Sequence, residues 1–267
     1  GIVYIKDARA TLDNVSMIGG RAAFGAGLYV ADKTEPIIKN SRIENGAASE
    51  RGGGVYAHDS SPELTNVTIL NNVASAGCGV YLYKGGAKIL NSTISKNTAT
   101  GSGSYLEVAG FNVRFSVGGG GGVNFDESKA TISGSTLEEN KAKAGGAIFA
   151  DNSPASISTS VINNNVADGG STVVPVIVLS NKPGGGGAIY AQRSDLALEY
   201  NRITNNRATS APGGAVHIFN GTADAKINGN YLGNNSAGKG SAVYVHLKPD
   251  TFKIFVLPLS LPDFLLP

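Results

Sequence analysis

The sequence is poor in the features that would assign it to several common classes of protein. It has one cysteine, Cys78, among 267 residues, so an internal disulfide is excluded. No apolar run approaches the roughly 18 residues that a membrane-spanning helix needs. Charged residues make up 16% of the chain, and its net charge of +2 comes without a basic stripe, so nucleic acid is not an expected partner. The three histidines are too scattered to form a metal or catalytic pair.

Glycine is abundant instead, with 37 residues, and it recurs at fixed positions of a repeat. The repeat is about 25 residues long and occurs about nine times, as in GGAIYAQRSDLALEYNRITNNRA at 186–208. Its apolar residues alternate in short stretches and lack helical periodicity. A repeat of this length built from strand-like pieces is typical of a solenoid.

The apolar residue after each glycine pair defines the first column of the repeat. Its members are Val3, Leu28, Val55, Val80, Val123, Ile148, Ile189, Val216 and Val243. A second column follows two residues later, and alternation along a strand turns both columns toward one side. Two further columns, represented by Ile89 and Ile94 in the fourth copy, indicate two more strands per repeat.

Three short strands per coil, each with an inward column, predict an all-β fold, a three-sided parallel β-helix. Right-handed winding is the expectation for parallel crossovers. About nine coils would occupy 1–247, with insertions at 102–120 and 171–185 that both leave the coil at the same corner. Cys78 stands where other coils carry glycine and is expected to be a small buried side chain. The sequence begins within a repeat, which leaves open whether the chain is processed or a fragment.

Two rows of asparagine mark the predicted corners. One row contains Asn14, Asn40, Asn66 and Asn91, and the other contains Asn72, Asn97, Asn140, Asn165, Asn206 and Asn235. Asparagine tolerates the left-handed backbone conformation of a sharp corner, and stacked amides can hydrogen-bond along the solenoid axis.

The repeat resembles those of the chlamydial polymorphic outer-membrane proteins and, more broadly, the pectate-lyase-like right-handed β-helices. The matching pieces are the GGAIF, GGAIY and GGAVH segments at 145–149, 186–190 and 213–217, with LEEN, INNN, ITNN and LGNN at 137–140, 162–165, 203–206 and 232–235. The chain has Ile or Leu where those repeats often have Phe. The resemblance covers 1–247 and implies a β-helix in a secreted or cell-surface setting.

An aromatic row lies between the two inward columns of the first strand, on the side that alternation turns outward. Its aromatic members are Tyr4, Tyr29, Tyr56, Tyr81, Phe149, Tyr190 and Tyr244, with Asn124 and His217 at the remaining positions. An exposed strip of this kind would bind glycans or protein surfaces. Three interpretations stay open: cover by the insertions or the C-terminal segment of the same chain, self-assembly or a protein partner, and glycan binding. The two insertions are apolar and are expected to pair with each other or to lie on the aromatic row.

The best cluster for chemistry is acidic. Asp126, Glu127, Asp151 and Asn152 follow the first strand of two adjacent coils, so Asp126 is expected to stack near Asp151. Two close carboxylates could act in catalysis or hold a calcium ion with Asn152. The alternative is a solvated acidic corner beside Arg193. Enzymes on this fold cut acidic polysaccharides with such residues, but no run here resembles their usual motifs.

The C-terminal segment 248–267 departs from the repeat and is predicted to be an extended apolar arm that docks on a groove. Phe252, Phe255 and Phe264 are its aromatic residues, and its prolines prevent a regular helix or a central strand. The first coil presents an uncapped strand edge, which invites pairing with another chain. Self-association through coil ends and arm is one expectation, and truncation of a longer chain is the other.

Sequons for N-glycosylation occur at five positions, of which Asn220 in the turn FNGT is the best candidate acceptor. The others are Asn14, Asn66, Asn91 and Asn234. The chain as a whole is predicted to be a non-catalytic extracellular structural or adhesive module without a required cofactor. The alternatives are a polysaccharide lyase or hydrolase on the same scaffold and a glycan-binding surface protein. Ice binding is disfavoured because the outward threonine row around Thr68, Thr93 and Thr136 is irregular.

Overall fold

The computed structural model describes residues 1–101, 106–108, 111–113, 119–169, 184–221 and 225–246. These residues form a parallel β-helix in which each strand pairs in register with its equivalents in the neighbouring coils. The all-β solenoid prediction is confirmed. Nine strands stack in the first sheet and eight in each of three others, so about eight complete turns are present.

Sheet A carries the first apolar column and its outward aromatic row. Its strands are β1 (Val3–Lys6), β5 (Leu28–Ala31), β9 (Val55–His58), β13 (Val80–Tyr83), β19 (Val123–Asp126), β23 (Ile148–Asp151), β27 (Ile189–Gln192), β31 (Val216–Phe219) and β35 (Val243–His246). Sheet B follows across the first corner. Its strands are β2 (Thr11–Asp13), β6 (Ile37–Lys39), β10 (Glu63–Thr65), β14 (Gly86–Leu90), β20 (Lys129–Ser133), β24 (Ala155–Ser158), β28 (Leu196–Glu199) and β32 (Lys226–Asn228).

Sheet C contributes the third inward column. Its strands are β3 (Ser16–Ile18), β7 (Arg42–Glu44), β11 (Thr68–Leu70), β15 (Thr93–Ser95), β21 (Thr136–Glu138), β25 (Val161–Asn163), β29 (Arg202–Thr204) and β33 (Tyr231–Gly233). Sheet D closes the coil. Its strands are β4 (Arg21–Phe24), β8 (Ala47–Arg51), β12 (Val73–Ala74), β16 (Thr98–Ala99), β22 (Lys141–Ala142), β26 (Val166–Ala167), β30 (Arg207–Pro212) and β34 (Ser236–Lys239).

The prediction of three strands per coil was wrong, because sheet D is a fourth. Several of its strands have only two residues, as in Val73–Ala74, which is too short for alternation to be visible in the sequence. Its inward alanines pack in a small cluster with Ala26 and Cys78, apart from the large core. Cys78 is free and fully buried, as expected, and burial raises the pKa of its thiol far above the ordinary value.

The main core is a continuous stack of Val, Ile and Leu from sheets A, B and C. Members such as Val55, Ile69 and Ile89 are fully buried. Burial of each such side chain contributes about 1.5–3 kcal/mol. The core fixes the register, because a slip of one residue would turn the apolar column of a strand to the outside.

Three of the four corners hold ladders of buried polar side chains. At the corner between sheets C and D, each asparagine amide donates to the Oδ1 atom of the next, over Nδ2···Oδ1 distances of 3.0 Å. The ladder runs through Asn72, Asn97, Asn140, Asn165, Asn206 and Asn235. Each Oδ1 atom also accepts the backbone N–H of the preceding member.

Only the first asparagine row adopts the left-handed conformation that was predicted for both. Asn14, for example, has a φ of 57° and an exposed side chain. In the buried ladder the left-handed residue is the one that precedes each asparagine, such as Lys96 before Asn97. The ladder asparagines therefore serve as hydrogen-bonding side chains, and the preceding residues supply the sharp turn.

Serine ladders at the other two polar corners were missed by the sequence analysis. Between sheets A and B, the backbone N–H of Ser128 donates to the Oγ atom of Ser153, and that of Ser153 to Ser194. Between sheets B and C, the same arrangement links Ser92, Ser135 and Ser160. The fourth corner, between sheets D and A, turns on left-handed glycines instead, and a Cβ on Gly145 would lie 2.1 Å from the Ile148 carbonyl oxygen.

Both insertions leave at this glycine corner, after β16 and β26, as predicted. In the first insertion, β17 (Leu106–Val108) and β18 (Phe111–Val113) pair as an antiparallel hairpin. Apart from this hairpin, the residues that would test whether the insertions pair with each other or cover the aromatic row lie outside the described part of the chain. The apolar arm at 248–267, with Phe252, Phe255 and Phe264, also lies outside them.

The asparagine ladder yields a test of what stabilises the coil stack. Replacing Asn140 with alanine removes two accepted and two donated hydrogen bonds at a fully buried position. Partners left unsatisfied each cost about 1–3 kcal/mol, so the free energy of unfolding should fall by at least that amount. Urea denaturation at 25 °C measures the change.

The matched control is Asn66→Gly at an exposed corner with a φ of 55°. Glycine adopts that conformation freely, so the free energy of unfolding should change by less than about 0.5 kcal/mol. Equal effects of the two substitutions would show that the buried ladder has no special role in stability.

Candidate functional site

The outer face of sheet A is the most chemically varied surface of the described residues. Its first outward row is the aromatic row, and the rings contact one another along the axis in two groups. Tyr4, Tyr29, Tyr56 and Tyr81 follow one another at centroid distances of 5.0, 5.2 and 5.7 Å. Phe149, Tyr190, His217 and Tyr244 do so at 5.3, 4.9 and 5.1 Å. Asn124 separates the two groups.

The prediction of an exposed aromatic strip was wrong for most of its length. Tyr4 is 63% exposed, but Tyr56, Tyr81 and Tyr190 are only 6%, 0% and 4% exposed. One reason is that the glycine corner folds onto the rings: a Cβ on Gly77 would lie 2.7 Å from Cδ2 of Tyr81. Residues of sheet D and the corner also pack there, including Phe24 and Ala76. Tyr29, Phe149 and Tyr244 are half-buried.

The second outward row brings Asp126 and Asp151 side by side on paired strands, as predicted. Neither is solvated, since the two residues are 6% and 3% exposed, so the interpretation as a solvated acidic corner was wrong. The Tyr81 hydroxyl donates to Oδ2 of Asp126 over 2.8 Å, and the Arg193 guanidinium forms an ion pair with Asp151. The carboxylates therefore have partners within the fold.

The other two residues of the acidic cluster point elsewhere. Glu127 and Asn152 begin the corner after the strand, in left-handed conformations with φ of 50° and 49°. Asn152 is exposed. Within the described parts of the chain, no three Asp, Glu, His or Cys side chains are placed to hold a metal ion. With Arg193 beside Asp151, the positive charge opposes a calcium ion at the same carboxylate.

Comparison with known protein families identifies the scaffold. The model of a right-handed β-helix region matches residues 1–117 and 79–250, which together cover most of the chain. The chain belongs to the right-handed β-helix family. No curated protein and no solved structure matches this β-helix. No helix in the described part of the β-helix is long and apolar enough to cross a membrane.

The burial of two polar side chains on the outer face of the β-helix, Asn124 and His217, was not predicted from the sequence. Asn124 is fully buried and donates to the Gly119 carbonyl oxygen, while its Oδ1 atom has no partner among the described residues. His217 is 3% exposed, and neither ring nitrogen has a hydrogen bond within the same set of residues. Their positions within an aromatic row gave no signal of burial.

The surroundings of His217 disfavour its charged form. Its ring meets Tyr190 and Tyr244 edge-on, and a Cβ on Gly185 would overlap its Nδ1 atom. Burial, with a smaller effect of the charge on His246, lowers the pKa of His217 to about 4. The other histidines occupy the second outward row, where His58 stacks on Tyr83 and His246 on Phe219.

The five sequon asparagines all lie at corners in left-handed conformations. Asn14, Asn66, Asn91 and Asn234 are exposed, and Asn220 is half-buried. The sequons therefore meet the requirement for outward position, although Asn66 already donates to the Oδ1 atom of Asn40 over 2.8 Å. Glycosylation stays a prediction.

The contact between Tyr81 and Asp126 allows a test of whether the acidic pair is held by the fold. Tyr81→Phe removes the buried donor to the carboxylate and should reduce the free energy of unfolding by about 1.5–3 kcal/mol, the range for hydrogen bonds to charged groups. Tyr29→Phe in the half-buried part of the row is the control and should change it little. Urea denaturation of both variants measures the two changes. Equal stability of the two variants would contradict a stabilising role for the Tyr81–Asp126 hydrogen bond.

The buried state of His217 predicts a pH dependence of stability. Its pKa falls from 6.5 to about 4 on folding, so the unfolded chain binds more protons between these values. Stability is therefore full above pH 6.5, falls as the pH drops toward about 4, and loses up to about 3 kcal/mol. The melting temperature of His217→Phe should vary less with pH over this window than that of the natural chain. Identical pH profiles would contradict the prediction.

Proposed function

We propose that the chain is a non-catalytic structural and adhesive β-helix module of a cell surface or secreted protein, which acts through self-association and surface contacts. The observation that carries the proposal is the state of the outer-face carboxylates. Asp126 and Asp151 are buried and bonded to Tyr81 and Arg193, so they stabilise the β-helix and do not stand open to a substrate.

The body of the molecule suits a load-bearing or display role. Continuous sheets and buried corner ladders link each coil to the next without a break in register through the middle coils. The resemblance to the polymorphic outer-membrane repeats and the outward sequon asparagines support a surface or secreted setting. These features favour a rigid scaffold whose faces make contacts.

The end coils support the self-association part of the proposal. At the first coil, Ile2 is 46%, Tyr4 63% and Ile18 55% exposed. The first and last coils also leave core residues such as Leu12 and Val243 only partly buried. Strand edges with apolar neighbours pair readily with further strands, so either a second copy stacked end to end or a further coil of the same chain would cover them.

A polysaccharide lyase or hydrolase is the second candidate, and a specific observation favours it. Asp126 and Asp151 lie on paired strands of one sheet with Arg193 beside them, which is the kind of charged cluster that such chemistry would use. A glycan-binding aromatic row is the third candidate, but only Tyr4 in that row is largely exposed.

Electron microscopy of the chain tests self-association. Fibres are expected, and Ile2→Lys with Tyr4→Lys should shorten or abolish them by placing charge on the edge of sheet A. Thr93→Lys, on the outer face of sheet C in the middle of the rod, is the control and should leave fibres intact. Isolated short rods at all concentrations would overturn self-association.

Depolymerisation assays separate the module from the enzyme. Neutral and acidic polysaccharides incubated with the chain should release no oligosaccharide above the buffer level. Product release that disappears in Asp126→Asn, in a variant that retains a cooperative unfolding transition, would replace the structural proposal with the enzymatic one.

A further inference from the structure

A second aromatic surface lies on sheet C and at its corner with sheet B, away from the outer face of sheet A. It belongs to the last two complete coils. Tyr200 at the corner between sheets B and C is 65% exposed, and Tyr231 on sheet C is 53% exposed. Arg202, opposite Tyr231 in the neighbouring strand, places its guanidinium carbon 4.9 Å from the Tyr231 ring centroid. We call Tyr200, Arg202 and Tyr231 the tyrosine patch.

The backbone of Tyr200 is unusual for its position. It adopts a left-handed conformation with φ of 55° at a corner where the equivalent residues are small or polar. Those residues are Asn14, Asn40, Asn66, Asn91, Gly134, Thr159 and Gly229. A bulky residue is disfavoured in this conformation, and strained positions of this kind tend to serve function.

Both rings rest on a glycine. A Cβ on Gly229 would lie 2.5 Å from Cδ1 of Tyr200, and a Cβ on Gly233 would lie 2.7 Å from Cε1 of Tyr231. Gly229 is left-handed, but Gly233 is not, so the backbone alone does not require glycine there. The absent side chains leave room for each ring to lie close to the backbone.

Arg202 brings a positive charge to the tyrosine patch, and the exposed carboxylate of Glu199, next to Tyr200, brings a negative one. Arg202 has no carboxylate partner within the described residues. Lys226 and Arg207, on the flanking strands of sheets B and D, are exposed as well. A guanidinium held on a ring keeps donors for oxygen-rich ligands.

From these features we propose that the tyrosine patch is a glycan-binding site in which a pyranose ring stacks on Tyr200, while the Tyr231 ring holds the Arg202 guanidinium in place. The C–H faces of a sugar ring are attracted to the negative face of an aromatic ring, and Arg202 would donate hydrogen bonds to hydroxyl or carboxylate oxygens. The site deepens the adhesive part of the proposed function and is separate from the aromatic row of sheet A.

The size of the surface favours a glycan over a protein. Aromatic side chains bury about 150–250 Å² each, and Tyr200 and Tyr231 are 65% and 53% exposed, so their exposed parts together offer at most about 300 Å². A stable protein interface takes about 800 Å² from each partner. One or two sugar units fit the smaller area.

Isothermal titration calorimetry with three hexasaccharides, of glucose, N-acetylglucosamine and mannuronate, tests the site. At least one should bind. Tyr231→Ala and Arg202→Ala should each weaken that binding about three- to tenfold, the range for losing one aromatic contact. Ile37→Ala, at an exposed apolar residue of sheet B several coils away, is the control and should bind as the natural chain does.

Tyr200→Asn separates a binding role from a structural one. Asparagine is the usual residue at this corner, so the variant should melt at the same temperature or higher while it loses affinity for the hexasaccharide. Absence of binding to all three probes would overturn the site, and so would full affinity in Tyr200→Asn and Tyr231→Ala. Equal loss in Ile37→Ala would show that the loss is not specific to the tyrosine patch, which would also overturn the site.

The outcome for the glycan site is distinguishable from that for the proposed function. A chain that forms fibres and releases no oligosaccharide but binds none of the probes would contradict the site alone. If binding is absent while Tyr200→Asn impairs adhesion to cells, the tyrosine patch would be assigned to a protein partner and the glycan proposal would be wrong.

Discussion

The stacking of identical coils in register is the constraint on which the rest of the molecule depends. Each backbone donor and acceptor in a parallel sheet is satisfied by the coil above or below, and the same holds for the buried polar side chains at three corners. Asn97, for example, is bonded both to Asn72 and to Asn140. A coil has no complete set of partners by itself, so stability accumulates along the axis.

The same stacking explains why aromatic and acidic side chains on the outer face of sheet A find partners within the fold. Side chains there stand close to their equivalents in the next coil, so rings stack and carboxylates meet donors. The Tyr81 hydroxyl reaches Asp126 across one coil boundary, and Arg193 reaches Asp151 across another. Groups that would be reactive in an open cleft are held by these contacts. The tyrosine patch differs, because the Tyr200 ring lies over Gly229 and remains 65% exposed.

Features that depend on alternation and repetition could be predicted from the sequence. Features that depend on contacts between different corners and strands of the folded coil could not. The inward columns and the pairing of Asp126 with Asp151 follow from equal spacing in adjacent repeats. Sheet D was missed because strands as short as Val73–Ala74 show no alternation. Serine is common at turns in general, so the ladder through Ser128 becomes visible only when coils are superposed.

The candidate sites show the same division. Burial of Tyr81 and His217 depends on corner segments that fold over the outer face, and strand alternation carries no information about such cover. Tyr200 lies at a corner position, and Tyr231 lies in an irregular outward row. Neither feature stands out when the repeats are aligned. Their importance appears only with the left-handed backbone of Tyr200 and the ring of Tyr231 over Gly233.

The asparagine ladder gives the rod a dipole along its axis. From Asn72 to Asn206, one N–H of each side-chain amide donates toward the C-terminal coils and each Oδ1 atom faces the N-terminal ones, while the second N–H donates to a backbone carbonyl of the preceding coil. The amide dipoles therefore add along the axis, as peptide dipoles do in a helix, and neighbouring bonds polarise one another. At the ladder, the side of a coil that faces the N-terminal coils presents an Oδ1 acceptor and the opposite side an N–H donor. A further coil that continues the ladder must therefore stack in the same orientation, head to tail.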